Sequence, residues 1–576
     1  MKKKTLKALP LLLCVLLNSE YIFSQSYSEP SRYDIIISEI MAKPAPEVGL
    51  PAVEYIELHN RLPHPCTLRN WRLTLGNTSK NLPDIPIDSC GYAVLIAQKH
   101  KELMEPFCEH LVTLSSLAVT DGGQALTLSD DGGEVIHYVN FKQHWHTERI
   151  KQEGGWSLEM IDDGRPCAGE WNWNSSTDPA GGTPGRPNSI RGELVDNNTA
   201  TITGVTMMDT NTLRIHFSKT LTLATAEETP AFHTTPPLEI VSITEVPPAF
   251  SALDIRFGRS PLADVTYRLS FSSELRDCGG GILHMAVETP FGVTRPPKEN
   301  DLVINEILTN PADGEKADYL ELYNRSTHII DLRDVKVGYG GDTLPLKATT
   351  AVSKGHQLPP QSYAVLCRQR SATLLQYVCK DENSLLQCDS LPDFAIGEGV
   401  IHLTDISLRP IDRLAYKEEM HYDKLLTTKG VALERLDTER PTQDESNWRS
   451  AAESAGFGTP GYQNSQSGRY APEGEFEVVP EVFSPDNDGF EDFAEVVCTF
   501  MEAEFRVNIT LYNSRGHPVK HLANNVLCGT EARFRWDGDD DNHQAVPAGM
   551  YVAQIEGWSL RTKKSLRRRK VVSIYR

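Results

Sequence analysis

The sequence lacks the short motifs of several common enzyme classes. It contains no Gly-x-Ser-x-Gly nucleophile turn, no phosphate-binding Walker loop, no dinucleotide-binding fingerprint and no Cys-x-x-Cys. In the enzymes that use them, these patterns position a nucleophile, a phosphate group or a redox pair. Their absence favours a protein that is not an enzyme.

Positive charge is also scarce. The chain has 57 lysines and arginines against 78 aspartates and glutamates, and its net charge is −21. Such a charge repels the phosphate backbones of nucleic acids and keeps a protein soluble. Nucleic acid is therefore not expected as the main partner.

After residue 25, no apolar run reaches the length of about 20 residues that a membrane-spanning helix needs. The first 25 residues instead have the pattern of a signal peptide, with four lysines before the apolar residues 8–17 and a cleavage position after Ser24. Its four lysines and one glutamate carry +3, so the chain without it has a net charge of about −24. We expect export to the cell surface, the outer membrane or the extracellular space, with the periplasm as the alternative.

Cysteines are few, 11 in 576 residues, and ten of them remain once the signal peptide is removed. An exported protein meets oxidising conditions, in which disulfides persist. Cys498 and Cys528 are the only cysteines in the last hundred residues, so we predict a bridge between them. Among the four cysteines of residues 26–192, Cys66 and Cys90 are the preferred pair, although spacing alone does not fix the connectivity.

One long segment of the chain occurs twice. The first copy opens with the strand-like stretches Asp34–Met41 and Glu54–Asn60, and the second copy opens with Asp301–Leu308 and Asp318–Asn324. These stretches alternate apolar and polar residues or are rich in β-branched ones, and Pro, Gly and Asn bound them. Each is therefore predicted to be a β-strand.

The correspondence between the copies continues as far as a closing Gly-Thr-Pro-Gly turn. The offset between matching residues is 267 in the opening strand and 264 in the next, and it then rises to 271, to 275 and, at the closing turn, to 276, with each change in a segment between the matching strands. Loop insertions between fixed strands produce such steps. We therefore predict two copies of one domain, residues 26–192 (repeat 1) and 298–467 (repeat 2).

The opening of each repeat resembles the bacterial lamin-tail domain, whose pattern reads much like I-x-E-I followed by E-Y-I-E-L-Y-N. The resemblance implies an immunoglobulin-like β-sandwich. It also implies that Glu39 and Glu57, with Glu306 and Glu321 in repeat 2, are structural residues that cap backbone groups or pair with arginine. The alternative is a pair of carboxylates for acid–base hydrolysis, which needs a cleft and two separated pKa values.

Residues 198–295 form a domain-sized region between the repeats (the middle region). Its stretches Thr212–Lys219 and Tyr267–Phe271 alternate at a period of two residues. Together with a following Leu-x-Asp-x-Gly, they resemble the bacterial Ig-like domain first described in S-layer proteins. The resemblance implies short strands in two packed sheets.

Residues 475–576 form the last predicted domain (the terminal domain), which opens with Val482-Phe483-Ser484-Pro485-Asp486-Asn487-Asp488-Gly489. This stretch and the later strands resemble the Ig-like domain of flagellar-hook capping proteins. They also resemble C-terminal modules of Bacteroidetes surface proteins, many of which are type IX secretion sorting signals. Asp486 and Glu491 occupy two positions that are Asn in that pattern. The resemblance implies contact with the secretion machinery.

Two charged clusters in the terminal domain are candidate binding sites. Asp486, Asp488 and Asp492 surround Gly489 in the manner of a calcium loop, although such residues also favour turns without any metal. Calcium at this loop is the one candidate cofactor, and otherwise none is expected. The basic run 561–570 is either a surface for an anionic partner or the charged tip of a hairpin.

We therefore predict an all-β chain of tandem immunoglobulin-like β-sandwich domains that acts without catalysis at the cell envelope, in binding, adhesion or scaffolding. Its partner would be an envelope protein or a glycan. One alternative is an accessory module of extracellular nucleic-acid or phosphate-ester metabolism, since lamin-tail domains often accompany nucleases and phosphatases. The other is a hydrolase with its site in a lamin-tail loop.

Overall fold

The computed structural model describes residues 29–194, 200–222, 232–271, 275–278, 281–283, 288–312, 317–341, 348–388, 390–468, 471 and 473–575. The predicted signal peptide, residues 1–25, lies outside them. The chain divides into two compact units, residues 1–195 and 196–576. Within the described ranges, no helix is both long and apolar enough to cross a membrane.

Repeat 1 is built from short strands. Over residues 29–194 they are β1 Ile35–Met41, β2 Tyr55–Asn60, β3 Cys66–Leu68, β4 Arg72–Leu75, β5 Thr78–Asn81, β6 Ile85–Ile87, β7 Tyr92–Ala97, β8 Leu111–Leu114, β9 Gly123–Ser129, β10 Val135–Lys142, β11 Leu158–Met160 and β12 Trp173–Ser175, with the single-turn helices α1 Lys101–Met104 and α2 Arg149–Gln152. One sheet has the order β12-β11-β1-β2-β7-β8 and the other has the order β10-β9-β4-β5. An apolar core lies between the two sheets.

The six-stranded sheet of repeat 1 is covered on both faces. Ile56 and Leu58 of β2 belong to the main core, whereas Tyr55 belongs to a second cluster on the opposite face. The pairing of β1 with β2 shifts register between Ile37 and Glu39. Such a bulge turns the following side chains to the other face. Glu39 consequently lies on the same face as Tyr55 instead of the core face of Ile37.

The middle region is also all-β where it is described. Its strands are β13 Ile202–Met207, β14 Thr212–Phe217, β15 Leu221–Thr222, β16 Phe232–Thr235, β17 Ile240–Glu245, β18 Ala252–Phe257, β19 Tyr267–Phe271, β20 Leu275–Asp277, β21 Ile282–Leu283 and β22 Thr289–Phe291. They form sheets of the orders β13-β14-β18-β17, β15-β20-β21 and β16-β19-β22. Alternate residues of β14 (Leu213, Ile215 and Phe217) are buried in the core, as their period of two predicts.

Repeat 2 has the same topology as repeat 1. Its described strands are β23 Leu302–Leu308, β24 Tyr319–Asn324, β25 Ile330–Asp331, β26 Val335–Gly340, β27 Ala348–Thr350, β28 Gln357–Leu358, β29 Tyr363–Cys367, β30 Leu385–Gln387, β31 Glu398–Asp405, β32 Pro410–Lys417, β33 Leu433–Arg435 and β34 Trp448–Ser450, with the helix α3 Arg370–Gln376. The order β30-β29-β24-β23-β33-β34 reproduces that of the six-stranded sheet of repeat 1 strand for strand. Even the bulge recurs, between Ile304 and Glu306.

The terminal domain is a sandwich of two sheets. Its strands are β35 Glu475–Val479, β36 Val482–Phe483, β37 Ala494–Thr499, β38 Phe505–Asn513, β39 Pro518–Cys528, β40 Glu531–Trp536, β41 Gly549–Trp558 and β42 Ser565–Ile574. The sheets have the orders β35-β37-β40 and β36-β42-β41-β38-β39 and enclose one apolar core. The predicted class, tandem immunoglobulin-like β-sandwiches in an all-β chain, is confirmed.

The predicted disulfides are absent from the structure. Cys66, Cys90, Cys498 and Cys528 are free thiols, whereas Cys167 and Cys278 are each disulfide-bonded. The exposed Cys90 thiol lies 3.8 Å from the carbonyl oxygen of Leu62. Cys498 and Cys528 lie in opposing sheets and both thiols are buried in the core between them.

Candidate functional site

Three glutamates lie side by side on the six-stranded sheet of repeat 1. Glu39 of β1 is directly opposite Glu57 of β2 on one side and Glu159 of β11 on the other. The exposed fraction of all three residues is 0%. Carboxylates that are fully removed from water must find hydrogen-bond donors inside the protein.

The closing Gly-Thr-Pro-Gly turn supplies several of these donors. The backbone N–H of Thr183 donates to Glu39 Oε1 over 2.7 Å, and that of Gly185 donates to Glu57 Oε2 over 2.6 Å. The turn lies so close to the sheet that a Cβ atom on Gly182 would be 2.3 Å from the Tyr55 hydroxyl. A side chain at position 182 would therefore push the turn away from the carboxylates.

Hydroxyl groups supply most of the remaining donors. Tyr55 and Ser157 each donate to Glu39 Oε1 over 2.6 Å. Ser38 at the bulge donates to Glu57 Oε1 over 2.7 Å, and Ser189 donates to Glu159 Oε2 over 2.8 Å. The three carboxylates thus connect β1, β2 and β11 to the chain that leaves the repeat.

Repeat 2 contains the same cluster, formed by Glu306, Glu321 and Glu434, which are also 0% exposed. Thr459 N–H donates to Glu306 Oε1 over 2.9 Å, and Gly461 N–H donates to Glu321 Oε2 over 2.6 Å. The arrangement differs at the bulge, where Asn305 replaces Ser38. Its amide donates both to Glu321 Oε1, over 2.7 Å, and to Asn464 Oδ1, over 2.8 Å.

The geometry of each cluster favours a proton shared between two carboxyl groups. The Thr183 hydroxyl lies 3.2 Å from Glu39 Oε2 and 3.0 Å from Glu159 Oε1. A hydroxyl has a single hydrogen to donate, so two full hydrogen bonds at these contacts would need a second hydrogen, from a carboxyl group. In repeat 2 the Thr459 hydroxyl is 2.9 Å from both Glu306 Oε2 and Glu434 Oε1.

The electrostatics agree with this proton count. Burial, followed by the negative charge of Glu159, raises the pKa of Glu39 to about 7. Burial and the charge of Glu434 raise the pKa of Glu306 to about 8. Burial together with the charge of the central glutamate raises the pKa of Glu57 and of Glu321 well above the ordinary range.

The opening pattern of each repeat predicts two of the three glutamates in each cluster and does not include the third. Glu159 and Glu434 occupy matching positions at an offset of 275, so the repeat itself contained the signal. Each carboxylate is inaccessible to solvent and accepts a hydrogen bond from the closing turn. This geometry favours a structural role for the three glutamates. A substrate would have to displace that turn before it could meet a carboxylate.

The structure brings the three predicted calcium ligands together. Oxygen atoms of Asp486, Asp488 and Asp492 all lie within 4.8 Å of one another. The Asp492 carboxylate also accepts hydrogen bonds from the backbone N–H groups of Asn487, over 2.6 Å, and Gly489, over 2.9 Å. The loop is therefore a hydrogen-bonded turn in its own right, whose carboxylates converge.

The basic run begins at the tip of a hairpin, as one interpretation of the sequence predicts, because Arg561 to Lys564 lie in the turn between β41 and β42. The rest of the run continues into the second strand of this hairpin. Arg567 to Lys570 are in the middle of β42, because this strand begins at Ser565 and pairs with β41 along its whole length. On its other side, β42 pairs with the short strand β36, and among the described residues this pairing involves only Ser573 and Ile574 of β42. In the part of the chain that the structure describes, Arg568, Arg569 and Lys570 have no carboxylate partner.

Comparisons with solved structures give low scores. PorZ, described as an essential bacterial surface component of the type IX secretion system of Porphyromonas gingivalis, is 9% identical over 79% of this chain and 56% of its own, with a TM-score of 0.16. Dimeric latent PorU from the same organism is 8% identical over 70% of this chain and 35% of its own, with a TM-score of 0.15. The chain thus spans about half of PorZ and a third of PorU. No curated protein matches it in sequence.

One family model matches part of the chain. Residues 477–573 match the CHU_C type IX secretion signal domain. The match covers the eight-stranded sandwich from β35 to β42 almost completely. The chain therefore carries a type IX secretion signal domain at residues 477–573, which implies export to the cell surface or the extracellular space.

Proposed function

We propose that the chain is a non-catalytic modular protein of the bacterial cell surface that binds or scaffolds an envelope protein or a glycan. The observation that carries this proposal is a type IX secretion signal domain that follows several β-sandwich domains along the chain, which have apolar cores of their own. Self-contained cores leave loops and sheet faces free for partners. In this proposal the terminal domain contacts the secretion machinery. The cations of β42 that have no carboxylate partner among the described residues provide an anion-binding surface for this contact.

We also propose that both repeats are lamin-tail domains, in which the glutamate cluster is the element that closes the fold. The same three contacts between glutamates and the closing turn in both copies support this assignment. A hydrolase with Glu39 and Glu57 as its acid and base is disfavoured, because neither carboxylate reaches solvent. A duplicated structural element explains the duplicated carboxylates without two active sites.

Removal of residues 475–576 should abolish delivery to the cell surface. The truncated protein is expected to accumulate in the periplasm, because it keeps the predicted signal peptide but lacks the type IX signal domain. Cell fractionation in a bacterium with a type IX system, followed by surface proteolysis, measures the location. Full-length protein in the same strain is the control. A truncated chain that still reaches the surface would contradict the proposed route.

We propose calcium as the ligand of the Asp486–Asp492 loop. Calcium in extracellular modules has dissociation constants of about 0.1–1 mM, so 10 mM calcium should stabilise the folded terminal domain by about 1–3 kcal/mol. Thermal unfolding should show a melting temperature higher by several degrees. Asp488→Asn, which removes one carboxylate, should weaken the shift, and magnesium at equal ionic strength is the control. An unchanged melting temperature would remove calcium from the proposal.

A further inference from the structure

The terminal domain is attached to repeat 2 by more than the connecting chain. The backbone N–H of Thr530 donates to Ser465 O over 2.9 Å, and that of Leu527 donates to Glu453 Oε2 over 3.2 Å. A Cβ atom on Gly529 would lie 2.0 Å from Ser465 O, so the two backbones approach as closely as only glycine permits. The end of β39 is therefore packed directly on the last residues of repeat 2.

A shielded ion pair lies at the same interface. Arg449 Nε of repeat 2 is 3.2 Å from Glu504 Oε2 of the terminal domain, and the exposed fractions of the two side chains are 15% and 8%. The backbone N–H of Glu504 donates to Gln466 Oε1 over 3.2 Å. The guanidinium of Arg506 lies 5.1 Å from the centre of the Tyr422 ring. Charged groups that are this well shielded are costly to leave without their partners.

The interface continues into the glutamate cluster of repeat 2. Ser465, whose carbonyl receives Thr530, donates its hydroxyl to Glu434 Oε2 over 2.8 Å. The backbone N–H of Gln466 donates to the same oxygen over 2.9 Å. The cluster that closes repeat 2 therefore also fixes the two residues that contact the terminal domain.

Repeat 1 shows that these contacts are not a general property of the fold. The positions of Arg449, Tyr422 and Gln466 are occupied in repeat 1 by Asn174, Thr147 and Ile190. There, Asn174 Oδ1 accepts a hydrogen bond from the Thr147 hydroxyl over 3.1 Å, so these side chains are used locally. Only the copy that precedes the terminal domain carries the arginine, the tyrosine and the glutamine.

We propose that repeat 2 and the terminal domain are exported as one folded unit, so that the functional secretion signal includes the docking surface formed by Tyr422, Arg449 and Ser465–Gln466. The proposal rests on the proposed export through the terminal domain. In this arrangement the segments around Glu504 and Thr530 keep their shape only when repeat 2 is folded. A chain with an unfolded repeat 2 then presents an incomplete signal.

Three full-length variants test the proposal: Arg449→Ala, Arg449→Glu and the charge exchange Arg449→Glu/Glu504→Arg. Hydrogen exchange at the amides of Leu527 and Thr530 reports whether the interface opens, and we expect exchange to accelerate about tenfold or more in Arg449→Glu. Surface delivery should fall in the order in which exchange rises. The charge exchange should restore both in part, because Arg561 Nε also lies 3.9 Å from Glu504 Oε2 and opposes a cation at that position. Arg533→Glu breaks an exposed ion pair with Glu495 inside the terminal domain and serves as the matched control.

Surface delivery that stays at the wild-type level while the interface is open would overturn the inference. Equal loss of delivery in the control would overturn it as well, because any damage to the terminal domain would then suffice. The inference would also be overturned if surface delivery did not follow the hydrogen-exchange rates across the three variants. Failure of the export assignment itself has a different signature, namely surface delivery of the chain that lacks residues 475–576.

Discussion

The Arg435→Met variant is expected to lower the free energy of unfolding of repeat 2 by about 3–5 kcal/mol. Arg435 is 1% exposed, donates to the Thr442 hydroxyl and is close enough to Asp412 to lower the pKa of that carboxyl, which burial raises. Methionine in its place leaves Asp412 as a buried carboxylate without its counter-charge. Breaking one partner of a buried pair is far more costly than replacing both.

Repeat 1 supplies the matched replacement for both partners. Its equivalents of Asp412 and Arg435 are His137 and Met160. His137 Nδ1 accepts a hydrogen bond from the backbone N–H of Ile37 over 2.9 Å. In repeat 2, Asp412 Oδ2 accepts the equivalent hydrogen bond from the backbone N–H of Ile304 over 2.8 Å. Burial lowers the pKa of His137 to about 4, so this residue is neutral and needs no cation.

The double variant Asp412→His/Arg435→Met should therefore recover most of the stability that Arg435→Met loses. Urea unfolding of the four proteins of the cycle measures the coupling between the two positions. The reverse change, Met160→Arg in repeat 1, introduces a buried cation beside a neutral histidine and should destabilise that repeat. A cost below about 1 kcal/mol for Arg435→Met would show that water or a rearranged Asp412 already compensates the charge.

The duplicated strands could be predicted because their information is local. Alternation within Tyr55–Asn60 assigned Ile56 and Leu58 to one face and Glu57 to the other, and the structure has the same assignment. Matching offsets between copies then gave the extent of each repeat. Apolar alternation of this kind depends on the chain's own period and on no distant partner.

The parts that could not be predicted depend on distant residues. The bulge that brings Glu39 to the face of Glu57 is a register shift against β2, and nothing in Ser38 alone specifies it. The third glutamate of each cluster comes from a distant strand: Glu159 is 120 residues from Glu39 along the chain, and Glu434 is 128 residues from Glu306. Cysteine spacing failed for the same reason, because the fold, and not the separation along the chain, sets the positions of Cys66 in β3 and of Cys90 in the turn after β6.

The glutamate clusters should make both repeats less stable as the pH rises. The pKa of Glu39 is about 7 in the folded protein and near 4.5 in the unfolded chain. Below pH 4.5 both states are protonated and the stabilisation is complete. Between pH 4.5 and 7 the folded state keeps a proton that the unfolded state has lost, so the free energy of unfolding falls by about 1.4 kcal/mol per pH unit. The total loss is about 3 kcal/mol for Glu39.

Glu39→Gln and Glu306→Gln should remove the contribution of the central glutamate to this pH dependence, whereas burial still raises the pKa of Glu57 and of Glu321. The amide is neutral at every pH, its oxygen can accept the hydrogen bonds of Oε1, and its NH₂ can donate to the threonine hydroxyl in place of the carboxyl proton. Thermal unfolding between pH 5 and 9 measures the slope, which should extend to about pH 8 in repeat 2 because the pKa of Glu306 is about 8. Glu102→Gln changes an exposed glutamate of repeat 1 and should leave the slope as it is. Wild-type repeats that are equally stable at pH 5 and pH 9 would mean that the clusters hold no proton, and the threonine hydroxyl between each carboxylate pair would then lack a second hydrogen.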